Sequence, residues 1–516
     1  MNDNIQNNKR IAKNTILLYV RMLLLMVVSL FTSRINLQAL GVEDFGIYNV
    51  VGGFVAMFSM LSGALSVSIS RNISYEIGTG NKQKLAKVFS TSINIQIGIA
   101  IIILLLAETI GVWFLNNIMV IPSARMYAAN WVLQFSVISF LVGLLNAPYN
   151  AAIIAHEQMS AFAYISILEA ILKLGVAYLL YISPIDKLIT FSALLALVAI
   201  MLRQIYASYC RRHFEECVHR WFFDWELMKN MLGFAGWSMF GLVAYTGYTY
   251  GLNIILNLFF GPAVNAARGI AVQVQNAVQG FSQNFQMAIN PQIIKSYASG
   301  CNNRVYELIF ASSKYVYFLL LFFAIPIIIE APIILELWLG VVPEHTVNFL
   351  RLIMVIITID SLGSPISTAQ QATGNIKNYQ IVVGGIMLLI VPVAYIVLKL
   401  GGTPESVYWV YLAACVAAHI LRLIIIHRMI QLSVQKYLKD VLAPIAAVTV
   451  LAFALPIIVY ENVSGSSVVS FVCVVATSFV SVLISVYWLG LNKKERQFVN
   501  IKLMSCYRSL VKHGTC

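Results

Sequence analysis

The stretch 81–115, NKQKLAKVFSTSINIQIGIAIIILLLAETIGVWFL, decides the class of fold. A short basic segment with Lys82, Lys84 and Lys87 runs straight into an apolar run from Val88 to Leu115. That run exceeds the roughly 20 residues an α-helix needs to cross a bilayer. The pattern recurs near 15–38, 45–70, 127–155, 162–181, 188–209, 232–260, 264–290, 306–329, 347–371, 379–398, 407–427, 441–460 and 468–488, making about fourteen spans. Composition agrees: the 516 residues are 60% hydrophobic and 11% charged, with mean hydropathy +0.82. One soluble core cannot hide that much apolar surface, so the sequence predicts an all-α integral membrane protein.

The 34 Lys and Arg against 21 Asp and Glu give a formal charge of +13, and their placement decides its meaning. Alternate connections hold Lys9, Arg10, Lys13, Arg71, Lys82, Lys84, Lys87, Arg211, Arg212, Lys295, Arg304, Lys377, Arg428 and the Lys/Arg of the tail. The opposite connections hold only Arg34, Arg125, Lys187 and Lys399. An asymmetry of roughly five to one is a positive-inside signal, which puts both termini in the cytoplasm and argues against a nucleic-acid partner. The apolar run after Met1–Asn14 is too long for a signal peptide and lacks an A-x-A site, so it is expected to remain as the first helix. The seven cysteines form no CxxC pair and no Cys/His cluster and read as free thiols. Neither a metal site, a cofactor motif, a nucleophile triad nor a Walker loop is present.

A weak internal repeat has an offset of about 220 residues, as in many transporters. Leu40-Gly41 answers Phe260-Gly261, Gly80 answers Gly300, and Asn146-Ala147-Pro148-Tyr149-Asn150 answers Gly363-Ser364-Pro365-Ile366-Ser367. Pro148 and Pro365 are expected to break their helices and free a carbonyl each. The repeat implies a six-helix lobe over 1–210, a linker over 211–230, a second lobe over 231–428, an extra helix pair over 429–490 and a basic tail over 491–516. Two lobes of six helices share an axis along the membrane normal, with a cleft between them. The tail mixes Phe498, Ile501, Leu503 and Leu510 with basic residues and reads as either a surface helix or a solvated end.

Polar residues inside the spans are the candidate site. Arg268, Gln275, Gln279, Ser282 and Gln286 share one face of the eighth helix. Tyr48, Ser59, Ser62, Ser66 and Ser70 form the repeat-related face of the second. Such faces line a cavity or bind helices together. Arg21 lies inside the first helix, where an arginine either snorkels or meets an anion. Asp360 shares a face of the tenth helix with Ser364, Ser367 and Gln371. It is a coupling-ion candidate, with pairing to a neighbouring arginine the simpler reading. Glu169 and Lys173 are spaced to neutralise each other, and Arg203, Lys314 and Arg422 read as snorkelling side chains. Tyr245, Tyr248 and Tyr250 make the seventh helix aromatic enough to stack sugar rings, although core or interfacial tyrosines are commoner.

The opening basic segment, the Arg-bearing first helix, the turn Leu40-Gly41-Val42-Glu43-Asp44-Phe45-Gly46-Ile47-Tyr48, the loop Asn81-Lys82-Gln83-Lys84 and the two prolines together resemble the polysaccharide flippases. These are O-antigen and capsule-repeat translocators of the multidrug/oligosaccharidyl-lipid/polysaccharide superfamily. The resemblance implies two six-helix lobes around a V-shaped cleft, with a C-terminal helix pair outside. It also implies alternating-access movement of undecaprenyl-diphosphate-linked oligosaccharide across the bacterial inner membrane, with polysaccharide polymerases and glycosyltransferases as partners and membrane lipids around it. Arg21 and Arg268 are the positions it points to for the diphosphate. The absence of an arginine on the second-helix stripe argues against lipid II as cargo. A cation antiporter of the same fold and a membrane glycan polymerase or ligase remain as alternatives, the latter disfavoured by short outer loops.

Overall fold

The computed structural model describes residues 2–117, 119, 121–183, 186–218, 224–462, 467–493, 495–497 and 500. The expected basic tail beyond Asn500 and the middle of the basic linker, 219–223, lie outside these residues. The described residues form helices α1 (Asn2–Ala56), α2 (Ser59–Thr79), α3 (Lys82–Leu106), α4 (Val112–Asn117), α5 (Met126–Ala155), α6 (Met159–Leu179), α7 (Lys187–His213), α8 (Trp225–Phe260), α9 (Pro262–Ala298) and α10 (Asn302–Ile329). They continue with α11 (Ala331–Leu339), α12 (Thr346–Asp360), α13 (Gly363–Thr373), α14 (Lys377–Lys399), α15 (Ser406–Ile430), α16 (Val434–Tyr437), α17 (Ala443–Asn462) and α18 (Ser467–Ser485), and no strand occurs among the described residues. Eleven helical stretches there are long and apolar enough to cross a membrane, and a bent pair makes a twelfth. The 36-residue α8 and the 37-residue α9 are long enough but are not among these stretches, so eleven or twelve stand among the described residues against the fourteen or so expected.

Three spans differ from the expectation. The second is bent by 49° between Glu43–Val55 and Ser59–Thr79, just after Gly52-Gly53, a composition that favours kinks. Tyr48 therefore does not continue the straight serine stripe of Ser59, Ser62, Ser66 and Ser70. Ser66 returns its hydroxyl to the carbonyl of Ser62; the serine that bonds another helix is Ser68, to Met231 O at 2.9 Å. The prolines also behave differently. Helix α5 runs unbroken through Pro148, whereas the chain breaks after Asp360 and resumes at Gly363, ahead of Pro365. A proline in the first turn of a helix loses no intrahelical bond, so Pro365 starts a segment rather than splitting one.

Glycines that the expected repeat pairs have equal φ. Gly41 and Gly261 both have φ +80, and Gly80 and Gly300 both have φ +73. At 260–262 the reason is explicit: Gly261 donates its N–H to Asn257 O at 2.9 Å, and Pro262 then opens α9 with its φ already fixed.

Contacts divide the chain into two compact units, cut differently from the expected lobes. Unit 1 comprises Met1–Val243, Asn284–Val305 and Thr368–Ile381; unit 2 comprises Ala244–Gln283, Tyr306–Ser367 and Val382–Cys516. In unit 1 one core gathers Leu65, Ile69, Ile73, Phe89, Tyr149 and Ile153, and a second gathers Val51, Leu115, Val132 and Leu188. Arg125 ties that second region together, reaching Asp44 of the 40–48 turn and Asp186, which caps α7, each at 2.5 Å. In unit 2, Phe349 of α12 meets Tyr408 of α15 at 4.8 Å between ring centres. Lys314 does not snorkel: it is buried and bonded to Glu495 at 3.0 Å. Between helices in lipid, such close packing and polar bonds replace the hydrophobic drive of a soluble core.

Candidate functional site

The candidate site forms inside unit 2. Helix α8 carries Tyr245, Thr249 and Asn253 on one face and Gly247 and Gly251 on the other, following the 3.6-residue period. The glycine face packs on α14 so tightly that a Cβ at Gly251 would lie 2.7 Å from Val391 Cγ2, and one at Gly247 would lie 3.3 Å from Leu388. The opposite face is thereby turned toward α9, α12 and α15. The turn at Gly261 folds α9 back along α8, bringing Arg268 to residues 15 and 19 positions earlier.

A cavity of about 350 Å³ results, lined by Tyr245, Thr249, Tyr250 and Asn253 of α8, Arg268, Gln275 and Asn276 of α9, and Tyr408 and Tyr411 of α15. Arg268 is 5% exposed. It donates to Asn253 Oδ1 and, at 2.9 Å, to the carbonyl oxygen of Thr249, while its buried Nε has no hydrogen-bond partner. Among the described residues both partners found for the guanidinium are neutral, so its charge is solvated but not cancelled. The Tyr248 and Tyr411 hydroxyls bond each other at 2.8 Å, and the Tyr245 ring meets Tyr248 edge-on at 5.4 Å. A fixed cation ringed by phenols and amides suits an anion attached to a hydroxyl-rich ring.

The other expected site residues fall elsewhere. Gln279 is half-buried, in unit 2 but not on the cavity wall. Gln286 and Arg21 belong to unit 1. Arg21 lies 4.4 Å above the Phe162 ring, with its Nε lacking a partner, so it is held by an aromatic face rather than at a headgroup. Arg203 likewise sits 4.7 Å over Tyr149. Asp360 is paired, to Arg422 Nη1 at 2.9 Å, so Arg422 does not snorkel. The α12–α13 break makes room for this pair: a Cβ at Gly363 would fall 2.1 Å from Arg422 Nη1. Beside it lies His419, 7% exposed, with neither ring nitrogen hydrogen-bonded. Glu169 and Lys173 bond at 2.7 Å as their spacing predicts. Tyr408 and Tyr411 are not among the sequence candidates: the charged and histidine residues of α15 all lie at 419–428, and nearer its start only the three-residue spacing of the two tyrosines hints at a shared face. Among the described residues no group of His, Cys, Asp or Glu is arranged to hold a metal ion.

The sequence profile of a family described as polysaccharide biosynthesis protein matches residues 11–297, more than half of the chain. A comparison with curated proteins gives no match. Among solved structures the chain is similar to a MATE transporter in the bent conformation (TM-score 0.72, 15% identity, covering 82% of this chain and 96% of that one). It is similar too to a multidrug resistance MATE family transporter of the MOP superfamily in its outward-facing conformation (0.70, 15%, 82% and 96%). A third is a MOP superfamily transporter from Pyrococcus furiosus with a binding pocket of reversed polarity (0.67, 14%, 81% and 96%). At these identities the likeness concerns the fold: an all-helical, multi-pass membrane architecture.

Proposed function

The chain belongs to the polysaccharide biosynthesis protein family, and from that premise we propose that it is a transporter that flips lipid-linked oligosaccharides across a membrane. The cargo is an undecaprenyl-diphosphate-linked repeat unit, the membrane is the bacterial inner membrane with both termini cytoplasmic, and the mode is alternating access. The observation that carries the cargo class is Arg268, a buried guanidinium with neutral partners in a tyrosine-lined cavity.

Its planar fork offers two parallel donors to phosphate oxygens, while the phenols give faces and hydroxyls to a pyranose. Ligand cavities run from roughly 300 to 1,000 Å³, so this one takes a phosphate or a single ring, and the remainder of the cargo must extend out of it. The charge also provides the transport cycle with a usable strength. An ion pair to the cargo in a partly wet cavity binds without trapping, because rehydration of both charges offsets their attraction.

Purified protein in vesicles loaded with a lipid-linked oligosaccharide tests this, with outer-leaflet arrival read by a lectin or a glycosidase. Arg268→Ala is expected to abolish transfer and Arg268→Lys to retain part of it, since lysine keeps the charge and loses the fork. Transfer at the wild-type rate in Arg268→Ala overturns the assignment. The MATE-like fold supports one alternative, export of small aromatic cations, for which Arg268→Ala should raise rather than lower the rate.

A further inference from the structure

Unit 1 takes two short segments from the second half of the chain, Asn284–Val305 and Thr368–Ile381, and polar contacts hold each of them. The first is held by the turn between α5 and α6. Glu157 there has φ +61, and its side chain is 1% exposed. Oε1 accepts from Lys295 Nζ at 2.6 Å and Oε2 from Gln292 Nε2 at 2.7 Å, both on α9. Helix α1 joins them: Arg10 Nε lies 3.5 Å from Oε2, Arg10 Nη2 donates to His156 O at 2.6 Å, and Asn14 Nδ2 donates to Glu157 O at 3.1 Å.

The second segment is held in the matching way. Pro148 answers Pro365 in the repeat, and the same step along the chain carries Glu157 to Gly374, whose φ is also positive, +80. Arg71 of α2 reaches this turn, with Nε and Nη2 donating to the carbonyls of Gln371 and Ala372 at 3.1 and 2.7 Å. Helices α2 and α9 are themselves repeat-related, and they touch at equivalent residues: a Cβ on Gly78 would lie 2.7 Å from the Cβ of Ala298. Contact between equivalent positions is the mark of a two-fold axis. One clasp is thus built twice, a cation or amide near the end of α2 or α9 gripping the left-handed turn after a proline-bearing segment of the other repeat.

We infer that the paired clasps, Glu157 with Lys295 and Arg71 with the 371–374 turn, are a latch that closes the cytoplasmic side and opens during transport. The side follows from charge, because Arg10, Lys82, Lys84, Lys87, Arg304 and Lys377 lie in the same set of connections. A buried ion pair adds little net stability, since desolvation offsets attraction, but a half-open state that leaves one charge buried alone is costly. Such a contact favours two states, closed or fully hydrated, which is the behaviour a gate needs. The inference rests on the transport part of the proposed reading and not on its cargo.

The test uses Ser74→Cys, a buried position on α2, labelled with a membrane-impermeant maleimide in inside-out vesicles and read by peptide mass spectrometry. Adding Glu157→Gln or Arg71→Gln should raise the labelling rate at least tenfold. Val132→Cys, buried in the other core of unit 1, should stay unlabelled in every variant. Unchanged labelling with both Glu157→Gln and Arg71→Gln overturns the latch, and so does labelling of the Val132→Cys thiol in parallel, which would make the contacts a staple of the fold. Because labelling needs no cargo, a latch that opens in a protein that moves no lipid-linked oligosaccharide would overturn the cargo reading alone.

Discussion

Replacing Asp360 by asparagine separates the two roles that an acid inside the membrane can have. Its carboxylate accepts from Arg422 at 2.9 Å, with the side chains 36% and 12% exposed. Unit charges about 4 Å apart attract by about 4 kcal/mol at an effective dielectric of ~20. Exposed pairs contribute only about 0–1 kcal/mol, and removing one partner of a fully buried pair costs about 3–5 kcal/mol. Arg422 is mostly enclosed and Asp360 about one-third open, so Asp360→Asn should cost about 2 kcal/mol, between those limits. Most of that cost is the arginine left behind. Asp360→Asn with Arg422→Gln should therefore be more stable than the sum of the single changes by about 1–2 kcal/mol. Gly363→Ala, which puts a methyl where Arg422 Nη1 now lies, should resemble Asp360→Asn. Denaturation of the purified protein in detergent, followed by tryptophan fluorescence, measures all four. Additive single effects, or no loss in Asp360→Asn, would refute a structural pair. Transport then assigns the role: if the pair is structural, the double variant recovers activity that Asp360→Asn loses, whereas a carboxylate that carries a coupling ion leaves the double variant inactive.

Three further outcomes follow from the geometry. Gly251→Ala forces a methyl to within 2.7 Å of Val391 and should destabilise by about 1–2 kcal/mol, relieved by Val391→Ala, while Gly236→Ala, with open space around it, should be neutral or stabilising; melting curves in detergent compare them. Arg125→Ala leaves Asp44 and Asp186 facing each other without the cation that now reaches both at 2.5 Å, and a loss of about 1–3 kcal/mol is expected in the same melts. Burial alone would push the Glu405 carboxyl up, but hydrogen bonds from His345, from its own backbone and from Asn348 hold it below the usual carboxylate range. Its stabilising contribution is complete above the unfolded value and is lost as pH falls through the lower folded value; His345→Ala should flatten that acid limb in a series of melts against pH.

The helical class was legible because lipid requires long apolar runs, and Gly41, Gly80, Gly261 and Gly300, which the sequence pairs as repeated glycines, all have positive φ. Arg268 and Gln275, read from one-dimensional spacing, and Tyr245, read from an aromatic-rich helix, line one cavity, since a polar face on a helix needs a wet or protein neighbour. The same spacing misjudged Arg422 and Lys314, whose partners Asp360 and Glu495 lie 62 and 181 residues away. Periodicity carries no information about which helix faces which.

Hydropathy and charge placement, being sums over local residues, determined by themselves that this chain is a many-helix membrane protein and gave it an expected orientation. Tertiary structure alone decided that Tyr408 and Tyr411 join Arg268, that Asp360 is paired, that the second span bends, and that Glu157 is a buried anion gripped by Lys295. Each of these depends on contacts between distant segments, whose energies are set by packing and desolvation at the meeting point rather than by the sequence around either partner.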